Sequence, residues 1–292
     1  MTPWLVTGAG GMLGKDLLTV LAAEGIEVTA LDRAALDITD PAAVRAAVAG
    51  HSVVVNCAAW TDVDGAETAE EAATAVNGTG VRHLAAACAG TDARLLHVST
   101  DYVLPGDAGH PYPEDAPTGP VNAYGRSKLA GERAVAELLP EHGYVVRTAW
   151  LYGEHGNNFV ATMLKLAAQR ETLDVVDDQQ GQPTWSYALA QRLVALGRAA
   201  DAPAGVYHGT ASGRTTWFEL ARAAYELSGL DPERIRPTSS AAFVRPAVRP
   251  AYSVLGHDRW SAAGLAPLAD WRESLAEALA RPAFSALVPN GR

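Results

Sequence analysis

Cysteine is nearly absent from this sequence: Cys57 and Cys88 are the two in 292 residues. That is too few for a disulfide framework or a cysteine-rich zinc site. Both lie in apolar runs, Val53–Ala58 and Ala85–Ala89, and read as small core residues. Lysine is almost as scarce. Of 23 basic residues twenty are arginine, and only Lys15, Lys128 and Lys165 are lysine. Positive charge is short overall, with a formal net charge of −10 and a pI near 5.2. A nucleic-acid-binding or membrane-surface protein needs a basic face, so neither partner is expected. No run approaches the roughly 18 apolar residues of a membrane span. The segment Met1–Gly8 carries no cationic leader, so a cytoplasmic protein is expected. Apolar residues, by contrast, make up 48% of the chain and charged ones 19%, enough for a large core. The length suggests two domains, or one α/β domain with an added lobe.

Short β-rich runs alternate with helical patterns through the first half. Strands are expected at Trp4–Thr7, Ile26–Leu31, Val53–Cys57, Arg94–Val98 and Tyr144–Ala149. Helices are expected from Met12 to Glu24, over Pro41–Ala49 with Asp40 as N-cap, over Glu67–Cys88, and over Ala123–Leu139. Continuous apolar strands alternating with helices argue for a Rossmann-type, doubly wound parallel sheet. After about Trp150 the rhythm breaks into helices near 159–168, 187–199, 217–227 and 270–280, with short strands at Leu173–Val176 and Val206–His208. Residues 1–150 are therefore expected to form a dinucleotide-binding domain, with part of 180–200 returning to it. Residues 151–292 would mainly form a smaller mixed α/β substrate-binding lobe, with a frayed end at Pro289–Arg292.

Three constellations carry chemistry. Thr7-Gly8-Ala9-Gly10-Gly11-Met12-Leu13-Gly14 follows the first strand and opens a helix. Glycines there let the backbone approach a pyrophosphate seated on the helix N-terminus. Asp32 ends the second strand, 18 residues after Gly14, where a carboxylate can accept from a ribose 2′-hydroxyl. Arg33 beside it would suit a 2′-phosphate, so the choice between NADH and NADPH stays open. Tyr124 and Lys128 are four apart on a helical pattern and share a face. With nine tyrosines and three lysines, chance supplies only about 0.1 such pairs. An ammonium near the phenol is expected to lower its pKa, so that Tyr124 can exchange a proton. Thr100, in Ser99-Thr100-Asp101-Tyr102, stands at the end of the fourth strand, where open α/β sheets bind ligands. A turn cap would account for this threonine equally well.

Together these features resemble the extended short-chain dehydrogenase/reductase superfamily: Thr-Gly-x-x-Gly-x-x-Gly, a Ser/Thr after the fourth strand, and Tyr-x-x-x-Lys. Leu36–Asp40, Val55–Asp64, Ser99–Val103, Tyr124–Glu132 and Arg147–Gly153 narrow the likeness to the dTDP-4-dehydrorhamnose reductase family. Asn157-Asn158-Phe159, Val176–Gln179 and Gln182-Pro183-Thr184 extend it over nearly the whole chain. The resemblance implies reduction of the 4-keto group of dTDP-4-dehydro-β-L-rhamnose to dTDP-L-rhamnose with NADPH or NADH. It implies Thr100, Tyr124 and Lys128 as the catalytic triad. Gly8, Gly11, Met12, Leu13, Gly14, Asp32, Asp37, Ile38, Ala59, Trp60 and Thr61, with Tyr124 and Lys128, match cofactor contacts. Thr100, Asp101 and Trp150 match substrate contacts. Trp60 departs from the histidine often found at that place. Some members hold Mg²⁺ through glutamates at a homodimer interface, and the matching early position here is Asp16. Two other readings stay open: a reductase of a related dTDP-4-keto-deoxysugar, and a non-catalytic nucleotide-binding regulatory subunit.

Other residues are quieter. The eight histidines show no metal-ligand spacing. Asp177-Asp178 reads as a solvated turn after the Val175-Val176 strand. Arg245 and Arg249, flanking prolines, could pair with a diphosphate or belong to a solvated loop.

Overall fold

A computed structural model describes residues 3–288, and the fraying expected at Pro289–Arg292 lies outside them. Six apolar runs form one sheet: β1 (Trp4–Thr7), β2 (Val28–Leu31), β3 (Val53–Asn56), β4 (Arg94–Thr100), β5 (Gly143–Thr148) and β6 (Gly205–His208). Their spatial order is β6-β5-β4-β3-β1-β2, with every pair parallel. β1, β3 and β5 are buried throughout, which is why they read as unbroken apolar runs rather than alternating ones. The longer helices are α1 (Met12–Ala23), α2 (Pro41–Val48), α3 (Val81–Ala89), α4 (Ala123–Leu138), α5 (Phe159–Ala167), α6 (Ser186–Arg198), α7 (Trp217–Leu227) and α8 (Trp271–Leu279).

Each face of the sheet is covered. Val6, Val55, Leu96 and Val146 pack with Leu17 and Leu21 of α1 and Leu189 and Leu193 of α6. Their neighbours Leu5, Val54, Leu95 and Val145 point the other way, onto Val44, Leu84, Cys88 and Val135 of α2, α3 and α4. The period-two alternation of a strand thus builds two cores from one run. Asp40 caps α2 as expected, accepting from the Ala42 and Ala43 amides with Pro41 at the first position. The strand order reverses between β1 and β3, and such switch points open a crevice at the carboxyl ends of the strands.

The structure departs from the expected boundaries in three places. The helical stretch expected over 67–88 is short helices at Val63–Ala66 and Glu70–Thr74, a wide π-helical turn at Ala75–Gly80, and then α3. Tight packing accounts for the irregularity: a Cβ at Gly78 would lie 3.0 Å from Ala130 Cβ, and one at Gly80 would lie 2.7 Å from Ile38. β4 runs on to Thr100, so this residue ends the strand instead of following it. The run near 206–208 is no lobe strand but β6, the sheet edge beside β5. Beyond β5, α5, α7 and α8 enclose a separate core with Tyr152, Trp185 and Phe284. Parallel pairing of Leu173–Val176 with Ile235–Thr238 borders that lobe. Among the described residues no helix is long and apolar enough to cross a membrane.

Gly8 has a positive φ of 70°, and a Cβ there would meet Ala58 N at 2.5 Å; Gly50 has φ 81° but open space around it. Gly50→Ala should therefore cost only the left-handed strain, about 1–2 kcal/mol. Gly8→Ala should cost roughly 2 kcal/mol more, because backbone must also move. Urea unfolding of the two variants measures the difference, and equal losses would contradict the steric account.

Candidate active site

The glycine turn lies against the chain leaving β3. At Gly14 a Cβ would lie 2.5 Å from the Gly8 carbonyl, and at Gly8 it would overlap Ala58, so both must be glycine for the turn to close. Gly11 precedes α1 in extended conformation without a side-chain cap. The first-turn amides of Met12 and Leu13 therefore have no acceptor within the helix and can face an anion. Gly10 stands beside Asp32, whose Oδ1 accepts from Ala34 N at 2.9 Å and Ala35 N at 3.0 Å. Oδ2 lies on the side of the glycine turn, 3.9 Å from a Cβ built at Gly10. This cradle and acid fit a dinucleotide pyrophosphate and its ribose.

Asp37 closes its own turn, accepting from Thr39 N at 2.9 Å and Thr39 Oγ1 at 2.8 Å. These bonds hold its carboxyl below the usual range. Ile38 is buried against Gly80. Ala59, Trp60 and Thr61 follow β3, and Trp60 meets Asn77, a residue that sequence reasoning missed. This buried amide accepts from Trp60 N at 2.9 Å, donates to Trp60 O at 3.1 Å, and donates to Ser127 Oγ at 2.9 Å. It ties the loop after β3 to the helix that carries Tyr124 and Lys128. The π-helical turn places it there, as such turns often do at functional sites. The glycine pair Gly78 and Gly80 was the available signal. Trp60 turns its indole N–H to Asp62 O at 2.9 Å.

Asn122 starts α4, its side chain accepting from Gly125 N at 2.8 Å. A Cβ at Gly125 would lie 2.2 Å from Tyr102 O, so α4 begins in close contact with the segment after β4. Lys128 is almost fully buried and donates to the Val98 carbonyl of β4 at 2.7 Å. Burial pulls its ammonium down to about 8, against the opposing pull of Glu132. Glu132, one turn further, forms a buried ion pair with Arg147 of β5 at 2.8 Å. Tyr124 meets the Thr100 hydroxyl and packs edge-on to Tyr102, with ring centroids 5.9 Å apart. The phenol's pKa is raised, first by burial and then by Asp101, with the Thr100 hydrogen bond opposing. This corrects the expected lowering by Lys128, whose ammonium is engaged with Val98. Thr100 Oγ1 donates to Asp101 Oδ1 at 3.0 Å and accepts from Tyr102 N at 3.3 Å. It is thus a turn cap and a neighbour of the phenol at once.

Trp150 leaves β5 with φ 47° and stacks on Trp217 at 3.7 Å, with Phe159 4.7 Å from the same ring. A left-handed backbone at a bulky residue costs energy that other contacts must hold in place. Gly181 permits it, since a Cβ there would lie 2.6 Å from the Trp150 ring. Trp217, an aromatic partner from α7, had no signal in the sequence. Arg249 makes a two-pronged pair with Asp64 at 2.8 and 3.1 Å, and Arg245 stands 3.8 Å from the same carboxylate. Asp177 accepts from Thr216, while Asp178 accepts from Ser239 and Ser240; both lie exposed in the turn after Leu173–Val176, as expected, and also brace the neighbouring loops. Asp16 is buried, accepts from Ser186 Oγ, and has His155 Nε2 at 3.8 Å. Among the described residues no three His, Cys, Asp or Glu side chains are grouped to share a metal ion. Within this chain Asp16 thus offers a cation one carboxylate, already engaged by Ser186. Burial pushes both cysteine thiols up to about 12, consistent with inert packing residues.

A doubly wound sheet with a glycine turn at its switch point and a Thr-Tyr-Lys group beside it defines a short-chain dehydrogenase/reductase. Residues 1–283 match the sequence model of a family described as "RmlD substrate binding domain". A dTDP-4-dehydrorhamnose reductase of Streptomyces griseus is 61% identical over 94% of this chain and 92% of its own. A dTDP-4-keto-6-deoxy-D-glucose reductase of Streptomyces niveus is 53% identical over 94% of this chain and 96% of its own. Among solved structures, the dTDP-4-dehydrorhamnose reductase of Bacillus anthracis in complex with NADP superposes with a TM-score of 0.91. It shares 36% identity, over 95% of this chain and 98% of that one. The chain belongs to the dTDP-4-dehydrorhamnose reductase family.

The buried ammonium has a measurable signature. The Lys128 pKa, near 8 in the folded protein against 10.5 unperturbed, makes the folded state bind fewer protons than the unfolded one. The resulting penalty is fully present below pH 8 and is relieved as the pH rises toward 10.5. Relative to Lys128→Met, the wild type should gain about 2 kcal/mol of unfolding free energy between pH 7 and pH 10. Denaturant titrations at both pH values check this, and parallel pH dependence in the two proteins would contradict it.

Proposed function

We propose that this protein reduces the 4-keto group of dTDP-4-dehydro-β-L-rhamnose to give dTDP-L-rhamnose. NADPH or NADH, when bound, supplies the hydride. Gly8, Gly11, Met12, Leu13 and Gly14 bind its pyrophosphate through the glycine turn and first-turn amides, and Asp32 accepts from the adenosine ribose. Asp37, Ile38 and Ala59-Trp60-Thr61 border the same crevice. Negative charge develops on the sugar O4 as C4 is reduced. Tyr124 donates the proton there: a raised pKa keeps the phenol protonated at neutral pH, as a general acid needs. Thr100 gives a second hydrogen bond to O4. Lys128 holds the ribose, a task for a compact ammonium more than a planar guanidinium. Trp150 and Asp101 contact the sugar nucleotide.

The observation that supports this reading most is the gathering of Thr100, Tyr124 and Lys128 at the carboxyl end of β4, with Lys128 bonded to Val98 O and Tyr124 packed on Tyr102. In the same reading residues 1–150 bind the dinucleotide, together with a returning segment, and the rest of 151–292 mainly receives the substrate. Packing of α6 on α1 and pairing of β6 with β5 support extending that segment from 180–200 to about residue 208. A second reading, reduction of a related dTDP-linked 4-keto-deoxysugar, is favoured by the 53% identity to the Streptomyces niveus protein.

Loss of reduced-nicotinamide absorbance on adding dTDP-4-dehydrorhamnose tests the reading. A nucleotide-binding regulatory protein would bind without consuming cofactor. Tyr124→Phe should slow turnover by about 10²-fold or more while cofactor affinity is kept. Near-wild-type turnover in that variant would remove Tyr124 from its role.

A further inference from the structure

A threonine hydroxyl has one proton to give. In the structure Thr100 spends it on Asp101 Oδ1, 3.0 Å away, so it has none left for a substrate oxygen. Asp101 is itself unusual. Its side chain is buried, and its second oxygen has no well-formed hydrogen bond although the Ser253 hydroxyl faces the carboxyl. An ionised carboxylate in such a place wants several donors. A protonated carboxyl there needs fewer and has a proton of its own to donate.

We propose that Asp101 is a positioning residue that works as a carboxylic acid, its O–H donating to Thr100 Oγ1 and thereby turning the Thr100 proton onto the substrate O4. The inference rests on the reductase reading above and adds the switch that aims one of its two donors. When Asp101 is ionised, the Thr100 proton is held by Asp101 and O4 loses a hydrogen bond. When Asp101 is protonated, the order of donation reverses: Asp101 to Thr100, Thr100 to O4. No proton leaves Asp101 in the turnover, because the proton that ends on O4 comes from Tyr124.

The surroundings favour the neutral form. The groups facing Asp101 are the Thr100 hydroxyl of β4, the Ser253 hydroxyl, the neighbouring Tyr102 and the Tyr124 phenol of α4. Both phenols have raised pKa values and are neutral at pH 7. Arg249, which acts on Tyr102, is committed to Asp64. Burial accordingly pushes the Asp101 carboxyl up to about 6, with the Ser253 and Thr100 hydroxyls and the backbone N–H groups of Asp101 and Tyr102 opposing.

The test is the pH profile of kcat/KM with NADPH and dTDP-4-dehydrorhamnose, which reports groups in the free protein. In the wild type kcat/KM should fall about twentyfold between pH 5.5 and 7.5, a range over which Lys128 keeps most of its proton. Asp101→Asn, whose amide can donate to Thr100 and does not titrate, should vary less than about twofold over that range. Thr100→Val should be slower and equally flat, because the pH-dependent effect of Asp101 passes through the hydroxyl removed. Melting temperature and NADPH affinity establish that each variant is folded, and either one alone carries the test. A wild-type fall retained in a folded Asp101→Asn or Thr100→Val variant overturns the proposal, as does a folded Asp101→Asn that is inactive at every pH. A flat wild-type profile overturns it too. Absence of any wild-type turnover would instead count against the reductase reading.

Discussion

The ammonium of Lys128 is buried against the Val98 carbonyl, and the arrangement of the crevice depends on that contact. A buried charge is tolerated only where it is paired or hydrogen-bonded, so the bond from Nζ to Val98 O at 2.7 Å fixes α4 on β4. Four residues earlier on the same face, Tyr124 is thereby delivered to Thr100. One turn later, Glu132 pairs with Arg147 of β5 and secures the other end of the helix. The scarcity of lysine makes the point sharper. In a chain that uses arginine at twenty of 23 basic positions, a lysine stands at 128, where its compact ammonium is buried on a backbone carbonyl.

The parts of the site that were legible in the sequence are those whose chemistry demands fixed local spacing. Gly8 and Gly14 had to be glycine for the turn to close, and Tyr124 and Lys128 had to be one helical turn apart. Asp40 before Pro41 announced α2, and β1, β3 and β5 announced their burial by unbroken apolar runs. What escaped is contributed by packing between distant segments. Asn77 reaches Trp60 and Ser127 across 17 and 50 positions. Trp217 meets Trp150, and Asp64 meets Arg249, through loops with no periodicity. The lowered Tyr124 pKa expected from spacing failed for a related reason: a lysine on the same helix face can bond elsewhere, and here Val98 takes it.

Two levels of control follow from the same burial. The phenol keeps its proton because the site is poorly solvated, which suits a residue that must donate to a developing alkoxide. Desolvation also lowers Lys128 and raises Asp101, leaving the three titratable groups of the crevice with pKa values spread apart. In the proposed mechanism such separation lets acid, cation and hydrogen-bond director be different side chains. The lobe supplies the aromatic surface of Trp150, Trp217 and Phe159, and its loops are tied back to the first domain by Asp64 and by the Asn122 bond to Val248 O.

The most direct test of the account is the fate of the hydride. The protein, given dTDP-4-dehydrorhamnose and NADPH or NADH deuterated at the transferable position, should form dTDP-L-rhamnose with deuterium at C4 by NMR. A sugar product without deuterium, or with deuterium at any other carbon, would contradict it.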